Sequence, residues 1–181
     1  MSYLVEALFD PQVIRMRSFA NTRHAGQKYG TEFPYVLHLQ AVDGVLVRFG
    51  AVGVHYLVCG WGHDLLEDTD TTRDEIAALW GNNVAACIEA VSEPKEGNRR
   101  QRQEAAYPKI IAHGLDAITV KLADRISHVE SGGAKINMYR KEHPWFRSMI
   151  YQSDFTGHSS QHAMSWIIRM QDHLDDLIVR V

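Results

Sequence analysis

The sequence lacks the features that mark several large classes of protein. No apolar run approaches the ~18–20 residues that span a bilayer, and the N-terminus has neither the basic start nor the long apolar stretch of a signal peptide. No block of basic residues occurs, and the formal net charge is −3, which argues against a nucleic-acid partner. These absences predict a cytoplasmic chain with neither a membrane nor a nucleic acid as its partner.

Cysteine is also scarce. Only Cys59 and Cys87 occur, in apolar surroundings and without the Cys-x-x-Cys spacing of zinc and redox motifs. Buried free thiols in a reducing compartment are therefore favoured over a disulfide or a metal role.

Strand signals are nearly absent, whereas helical periodicity recurs along the 181 residues. Asp10-Pro11, for example, combines an N-cap acceptor with proline at the first helical position. The pattern predicts an all-α, single-domain bundle over residues 1–181, with a motif-bearing core at about 19–130 and C-terminal helices at 135–181. The predicted helices lie at about 10–25, 35–49, 54–66, 84–91, 102–112, 116–129, 135–151 and 161–179, with a short helix, capped by Thr71 or Thr72, through Trp80.

The last predicted helix is amphipathic. Its apolar stripe either closes the core or forms a homo-oligomer contact, and the sequence leaves both open. The stripe consists of Trp166, Ile167, Met170, Leu174 and Ile178.

The densest group of chemistry-bearing residues is the segment GWGHDLLEDT at 60–69. On a helix, His63 and Asp64 project about 100° apart, so an imidazole and a carboxylate can reach one ion. Glu67 and Asp68 follow one turn later on the same face. The two glycines cost a helix about 1 kcal/mol each relative to alanine, which indicates that something approaches the backbone closely. The alternative is a helix end that enters an acidic surface loop.

A second segment, ITVKLADRISHV at 118–129, carries a polar stripe along a predicted helix. Lys121, Asp124, Arg125 and His128 follow helical spacing. The stripe is either a solvated face or the wall of a polar pocket, and its apolar flanks favour the pocket. Arg125 either offsets phosphate charge or forms an ion pair between helices. A third candidate, His38 on an apolar helix, would by itself be a hydrogen-bonded core histidine more often than a ligand.

Together, His38, His63-Asp64 and Asp124 on three helices resemble the HD superfamily of metal-dependent phosphohydrolases. The motifs HxGQ at 24–27, PYxxH at 34–38, HDxxEDT at 63–69 and KLADR at 121–125 are similar to those of the hydrolase domain of RelA/SpoT homologues and of small alarmone hydrolases. The similarity covers about residues 19–128 and does not extend to the synthetase or regulatory domains. It implies a 3′-pyrophosphohydrolase acting on (p)ppGpp-type alarmones of the stringent response.

The resemblance also implies roles for individual residues. His38, His63, Asp64 and Asp124 would hold one divalent ion, and Glu67 and Asp68 would position or activate the attacking water. Mn²⁺ is expected on the resemblance and on metal availability, because intrinsic affinity places it lowest among the ions considered. Fe²⁺, Zn²⁺ or Mg²⁺ are substitutes. Contacts to a small anionic purine nucleotide are expected from Lys28, Tyr29, Lys121, His128 and Tyr139.

Two positions depart from the family pattern. His128 stands where the family usually has asparagine, and Tyr29 where it has arginine, so the choice between a guanine and an adenine alarmone stays open. The alternatives are an HD nucleotidase acting on other (deoxy)nucleoside phosphates, a dinuclear HD enzyme that would recruit His128 and His55, and a nucleotide-binding module that does not hydrolyse.

Overall fold

The structure, a computed structural model, describes residues 3–30, 32–133, 135–151 and 161–180. Residues 1–2, 31, 134, 152–160 and 181 of the predicted domain lie outside this range. The described part of the chain is all-α, apart from one two-stranded hairpin. None of the described helices has both the length and the apolar character needed to cross a membrane.

Eleven helices and two strands follow one another along the described residues. The helices are α1 Tyr3–Leu8, α2 Pro11–Arg23, α3 Val36–Phe49, α4 Val54–Gly62, α5 Leu65–Asp68, α6 Arg73–Trp80, α7 Asn82–Val91, α8 Arg99–His113, α9 Leu115–Glu130, α10 Ile136–Ile150 and α11 Gln161–Arg180, and the strands are β1 Lys28–Tyr29 and β2 Phe33–Pro34.

Side-chain caps fix several helix starts. Asp10 Oδ1 accepts the N–H of the second residue of α2 at 2.8 Å, as predicted, and Thr72 caps α6. Helix α8 begins at Arg99, three residues before the predicted start at 102. The reason is a capping box, in which Asn98 and Gln101 satisfy each other's backbone N–H groups.

The structure differs from the sequence prediction at three further places. Helix α1 was not predicted, and the turn predicted at 30–34 is a short hairpin in which Tyr29 pairs with Phe33. The single helix predicted over 54–66 is two helices, α4 and α5. The break falls at Asp64, whose φ of −96° and ψ of −1° lie in a sparsely populated backbone region that active-site residues often occupy. Helical periodicity continues through the break and conceals it.

Helix α9 is the centre of the bundle and contacts α3, α4, α7, α8, α10 and α11. Because neighbours surround it, its residues are buried on nearly all sides. A charged side chain on such a helix needs polar partners inside the protein. The polar stripe of α9 therefore faces the interior, and the solvated-face alternative is wrong.

Helix α11 packs against α9 and α3. Its predicted apolar stripe is buried in the core of the chain itself. Of the two alternatives that the sequence left open, the structure shows the stripe in the core.

Close packing on α4 explains its two glycines. A Cβ atom at Gly60 would lie 2.5 Å from Leu46 Cδ1 of α3, and one at Gly62 would lie 2.6 Å from Ile88 Cδ1 of α7. Side chains from both neighbouring helices thus approach the backbone, as the glycines predicted. The result is that the helices carrying His38 and His63 lie close together.

Arg125 joins α9 to α10. Its Nη1 lies 3.1 Å from Glu142 Oε2, and its Nη2 donates to the Tyr139 carbonyl at 3.1 Å. The side chain is only 4% exposed, and Arg99 of α8 contacts the same Glu142 carboxylate. Of the two interpretations of Arg125, the structure shows the ion pair between helices.

Arg125→Met is expected to lower the free energy of unfolding by about 2–3 kcal/mol, because a half-buried carboxylate and a carbonyl lose their partner. This decrease is smaller than the one expected for breaking an isolated buried ion pair, because Arg99 still contacts Glu142. Urea denaturation measures the change. Arg180→Met, which breaks the exposed pair with Asp176, is the control, with an expected change under about 0.5 kcal/mol. Equal effects of the two substitutions would contradict this role of Arg125.

Candidate metal centre

Two buried imidazoles form the middle of the site. His38 in the first turn of α3 is 1% exposed, and His63 directly after α4 is 3% exposed. Their Nε2 atoms lie 3.3 Å apart. His63 Nδ1 lies 2.8 Å from the Gly60 carbonyl, which only accepts hydrogen bonds, so Nδ1 carries the proton. When Nε2 loses its proton to make room for an ion, His63 presents the lone pair of that nitrogen to the site.

Two aspartates approach the same nitrogen atoms. Asp124 Oδ1 lies 3.4 Å from His38 Nε2 and 3.7 Å from His63 Nε2, and for Asp64 Oδ2 the distances are 3.4 and 2.9 Å. Ligand atoms bound ~2.1 Å from one ion lie about 3.0–3.4 Å apart when they are adjacent. The spacing of this histidine–aspartate cluster, His38, His63, Asp64 and Asp124, therefore fits one cation.

An orphaned oxygen also indicates a cation. Asp124 Oδ1 is buried and accepts no well-aligned hydrogen bond among the described residues, although His128 Nε2 lies 3.1 Å away. Its Oδ2 accepts from Lys121 Nζ at 3.2 Å. An unsatisfied buried carboxylate oxygen is costly and calls for an explanation. A bound cation would satisfy it. One ligand atom each of His38, His63 and Asp124 lies within 4.8 Å of the others, so the donor set is a plausible metal site.

The members of the cluster hold one another in their charged forms. Burial works against charge on each, but the imidazoles of His63 and His38 hold the pKa of Asp64 well below its usual range. Lys121 is the strongest of the groups that do the same for Asp124. In turn, the two carboxylates raise the pKa of His63 and of His38 against the effect of burial. A divalent ion would replace the protons that the imidazoles otherwise carry.

Tyr35 was missed by the sequence reasoning. Its hydroxyl donates to Asp64 Oδ2 at 2.5 Å, and its ring stacks on His24 at 4.7 Å. His24 Nδ1 lies 2.6 Å from Gln27 Oε1, and Gln27 Nε2 donates to Asp68 at 3.2 Å. The HxGQ motif therefore contacts Asp68 directly, through Gln27, and Asp64 indirectly, through Tyr35. The available signal was the PYxxH spacing, which places the tyrosine one turn before the α3 histidine.

Glu67 is half-buried and lies one helical turn beyond His63. Its Oε1 accepts the backbone N–H of Glu93 at 2.7 Å. Burial raises the pKa of Glu67 to about 7, with Lys121 opposing the rise and Asp64 adding to it. Lys121 Nζ lies 3.9 Å from Glu93 Oε1, and burial lowers the pKa of Lys121 less than the surrounding carboxylates raise it. Near neutral pH, Glu67 thus exchanges a proton readily.

Four rings form a stack along one side of the cluster. The ring centroids of Tyr29 and His38 are 5.0 Å apart, those of His38 and His128 4.5 Å, and those of His128 and Tyr139 5.4 Å. The Tyr29 hydroxyl lies 2.9 Å from His128 Nδ1, and His128 Nε2 lies 3.1 Å from Asp124 Oδ1. Burial lowers the pKa of His128 despite that carboxylate. Tyr29 and His128 are thus in the site.

The remaining candidates lie at its edge or outside it. Asp68 is exposed and is connected to the site through Gln27. Lys28 is exposed and precedes Tyr29 in β1, so it points to the opposite side of the strand. Tyr139 is 4% exposed and lies against Arg125.

The chain is similar in sequence to several curated proteins, although no family model matches it. A guanosine-3′,5′-bis(diphosphate) 3′-pyrophosphohydrolase of Aquifex aeolicus is 32% identical over 123 residues, 66% of this chain and 18% of the relative. MESH1 of Danio rerio, of the same description, is 32% identical over 116 residues, 60% of this chain and 62% of that protein. The bifunctional (p)ppGpp synthase/hydrolase SpoT of Escherichia coli is 29% identical over 69% of this chain and 19% of that protein. This chain therefore spans only about a fifth of the length of these bacterial relatives.

Solved structures share the fold. A metazoan ortholog of SpoT, described as hydrolysing ppGpp, superposes with a TM-score of 0.76 at 17% identity, over 94% of this chain and 96% of that one. The protein lmo0812 of Listeria monocytogenes gives a TM-score of 0.61 at 23% identity, over 82% of this chain and 95% of that one. These matches establish the all-α architecture.

Proposed function

We propose that this chain, which resembles the HD-type (p)ppGpp hydrolases, is a metal-dependent enzyme that removes the 3′-pyrophosphate from (p)ppGpp-like nucleotides. The histidine–aspartate cluster, with its orphaned Asp124 oxygen, is the observation that carries the proposal. The similarity to named (p)ppGpp 3′-pyrophosphohydrolases supports the substrate class. The base is guanine or adenine.

We assign the ion to His38, His63, Asp64 and Asp124. Imidazole and carboxylate ligands together suit Mn²⁺, Fe²⁺ or Zn²⁺, and the resemblance favours Mn²⁺, with Mg²⁺ as a weaker substitute. When bound, such an ion would stabilise negative charge on the phosphoryl oxygens and acidify an attacking water.

Glu67 is proposed to take the proton from the attacking water. A pKa of about 7 suits a general base that works near neutral pH. Asp68, more exposed and held by Gln27, is proposed to position that water. The proton that Glu67 takes from the water would then pass to the leaving ribose oxygen.

Charge and stacking are proposed to hold the nucleotide. Lys121 lies within the site and Lys28 at its rim, where both ammonium groups would offset phosphate charge. Tyr29 and His128 would offer ring faces and hydrogen-bonding atoms to the base, and Tyr139 supports His128 from behind. Small purine nucleotides are therefore the proposed partner class.

One incubation tests the proposed reaction. Metal-loaded protein is given ppGpp, ppApp or a deoxynucleoside monophosphate, and the products are resolved by chromatography. We expect the alarmones to lose pyrophosphate and yield the nucleoside 5′-diphosphate. Hydrolysis of the monophosphate alone would point to an HD nucleotidase, and binding without products would point to a sensing module; each result contradicts the proposal.

Tyr35→Phe is expected to weaken metal affinity roughly 10–100-fold, the usual effect of removing a hydrogen bond to a metal ligand. The lost bond is the one from the Tyr35 hydroxyl to Asp64. Titration against a chelator measures the affinity. Tyr151→Phe is the matched control, because it removes a half-buried hydroxyl that donates to the Gln171 carbonyl instead. Unchanged affinity in Tyr35→Phe would rule out this positioning role.

A further inference from the structure

A second group of metal-ligating side chains lies at the other end of α4. His55 and Cys59, one turn apart on α4, meet Cys87 of α7, and one ligand atom of each lies within 4.8 Å of the others. His55 Nε2 is 3.7 Å from Cys59 Sγ and 3.2 Å from Asp116 Oδ2 of α9. The Cys87 thiol raises the pKa of His113, the last residue of α8, so the two side chains lie near each other. Residues of four helices, α4, α7, α8 and α9, therefore bring N, S and O donors close together.

This thiol cluster, His55, Cys59 and Cys87, is separate from the histidine–aspartate cluster. His55 precedes His63 by eight residues, which is about 12 Å along a helix. Metal ions that act together in dinuclear enzymes lie about 3.5–4 Å apart. His55 therefore does not complete a dinuclear centre, and the hydrolase chemistry uses no member of the thiol cluster.

We propose that the thiol cluster binds one Zn²⁺ ion, with His113 or Asp116 as the fourth ligand. Two sulfur atoms with imidazole nitrogen are a common structural zinc set, and tetrahedral bonds of ~2.3 Å to sulfur and ~2.0 Å to nitrogen place the two donors about 3.5 Å apart. The observed separation of 3.7 Å between His55 Nε2 and Cys59 Sγ is close to this value.

The electrostatics of the cluster favour a cation. The neighbouring side chains of Cys59, His113 and His55 lower the pKa of Cys87 against the effect of burial. Asp116 and Cys87 raise the pKa of His55 to about 9. Zinc binds thiolate and neutral imidazole, so it would displace the imidazole proton and bind a thiolate that is already favoured.

The site is accessible from one side. Both cysteines are buried and free, whereas the side chains of His55 and Asp116 are 31% and 40% exposed. An ion would enter past these two residues and then join α4, α7 and either α8 or α9. The bound ion would thereby fix the start of α4, and His63 directly follows the end of this helix.

Cobalt provides a test that needs no change to the cysteines. In the His63→Ala/Asp64→Ala background, where the other site is disabled, we expect one Co²⁺ per chain with a thiolate-to-cobalt charge-transfer band and tetrahedral ligand-field bands. Added Zn²⁺ should remove both. Absence of the charge-transfer band overturns the proposal, and so does a Cys59–Cys87 disulfide in freshly purified protein. Neither result depends on hydrolase activity.

Substitutions locate the ligands in the same background. Cys87→Ser and His55→Gln are each expected to weaken Zn²⁺ affinity on the order of 10²-fold or more, as the loss of one ligand of a structural site requires. His173→Gln is the matched control, because His173 also pairs with a carboxylate, Glu130, at 2.8 Å but lies outside the thiol cluster. Since the side chain of His55 is partly exposed, His55→Gln tests the ligand even if Cys87→Ser fails to fold. Unchanged affinity in His55→Gln overturns the assignment.

Discussion

Asp64→Ala and His63→Ala are each expected to reduce bound metal by one ion per chain and to lower alarmone turnover roughly 10³-fold. A catalytic ion stabilises transition-state charge by several kcal/mol, and each 1.36 kcal/mol of activation free energy changes the rate about tenfold. His63 and Asp64 supply two of the four atoms that we propose as ligands, and these two atoms lie 2.9 Å apart. Elemental analysis and product chromatography measure the two effects.

Asp70→Ala is the control for this experiment. Asp70 lies in the same acidic segment but is exposed and pairs with Arg23, so metal content and turnover should not change. If Asp64→Ala kept both its ion and its turnover, the ligand assignment would fail.

Glu67→Gln is expected to keep the ion and to lose turnover by about 10²–10⁴-fold, the usual contribution of general acid–base catalysis. The pH dependence gives a second signature. Because the carboxylate is the active form and burial raises the Glu67 pKa to about 7, the wild-type rate should fall about tenfold per pH unit below that midpoint and level off above it. A nearby cation moves the midpoint to lower pH.

In Glu67→Gln the fall of the rate at low pH should be absent, while the metal content stays unchanged. Glu104→Gln, at an exposed pair with Arg100, should leave both rate and profile intact. Normal hydrolysis by a chain carrying both Glu67→Gln and Asp68→Asn would show that another group activates the water.

Local patterns in the sequence predicted much of this molecule. The spacing along α9 correctly predicted that Asp124 and His128 lie on one face of the helix, because residues four apart are neighbours there. Capping residues such as Asp10 correctly marked helix starts. The sequence could not show the break at Asp64, because apolar residues continue through it in helical register.

Contacts between distant segments were harder to foresee. Tyr35 and Asp64 are 29 residues apart, and only the packing of α3 on α4 brings the hydroxyl to the carboxylate. Cys59 and Cys87 were correctly expected to be buried and free. The proposal that both thiols bind one ion depends on how α4, α7, α8 and α9 pack together, and no local sequence motif predicts that packing.

The absent methyl group at Gly60 has a consequence for the spacing of the two imidazoles. Leu46 Cδ1 already occupies the space that a Cβ there would need, so a residue larger than glycine requires the Leu46 side chain or helix α3 to move. His38 lies on α3, and His63 directly follows α4. A movement of α3 would therefore change the 3.3 Å separation of their Nε2 atoms. In the proposed metal centre, Gly60 would thereby help to fix the geometry of the two histidine ligands.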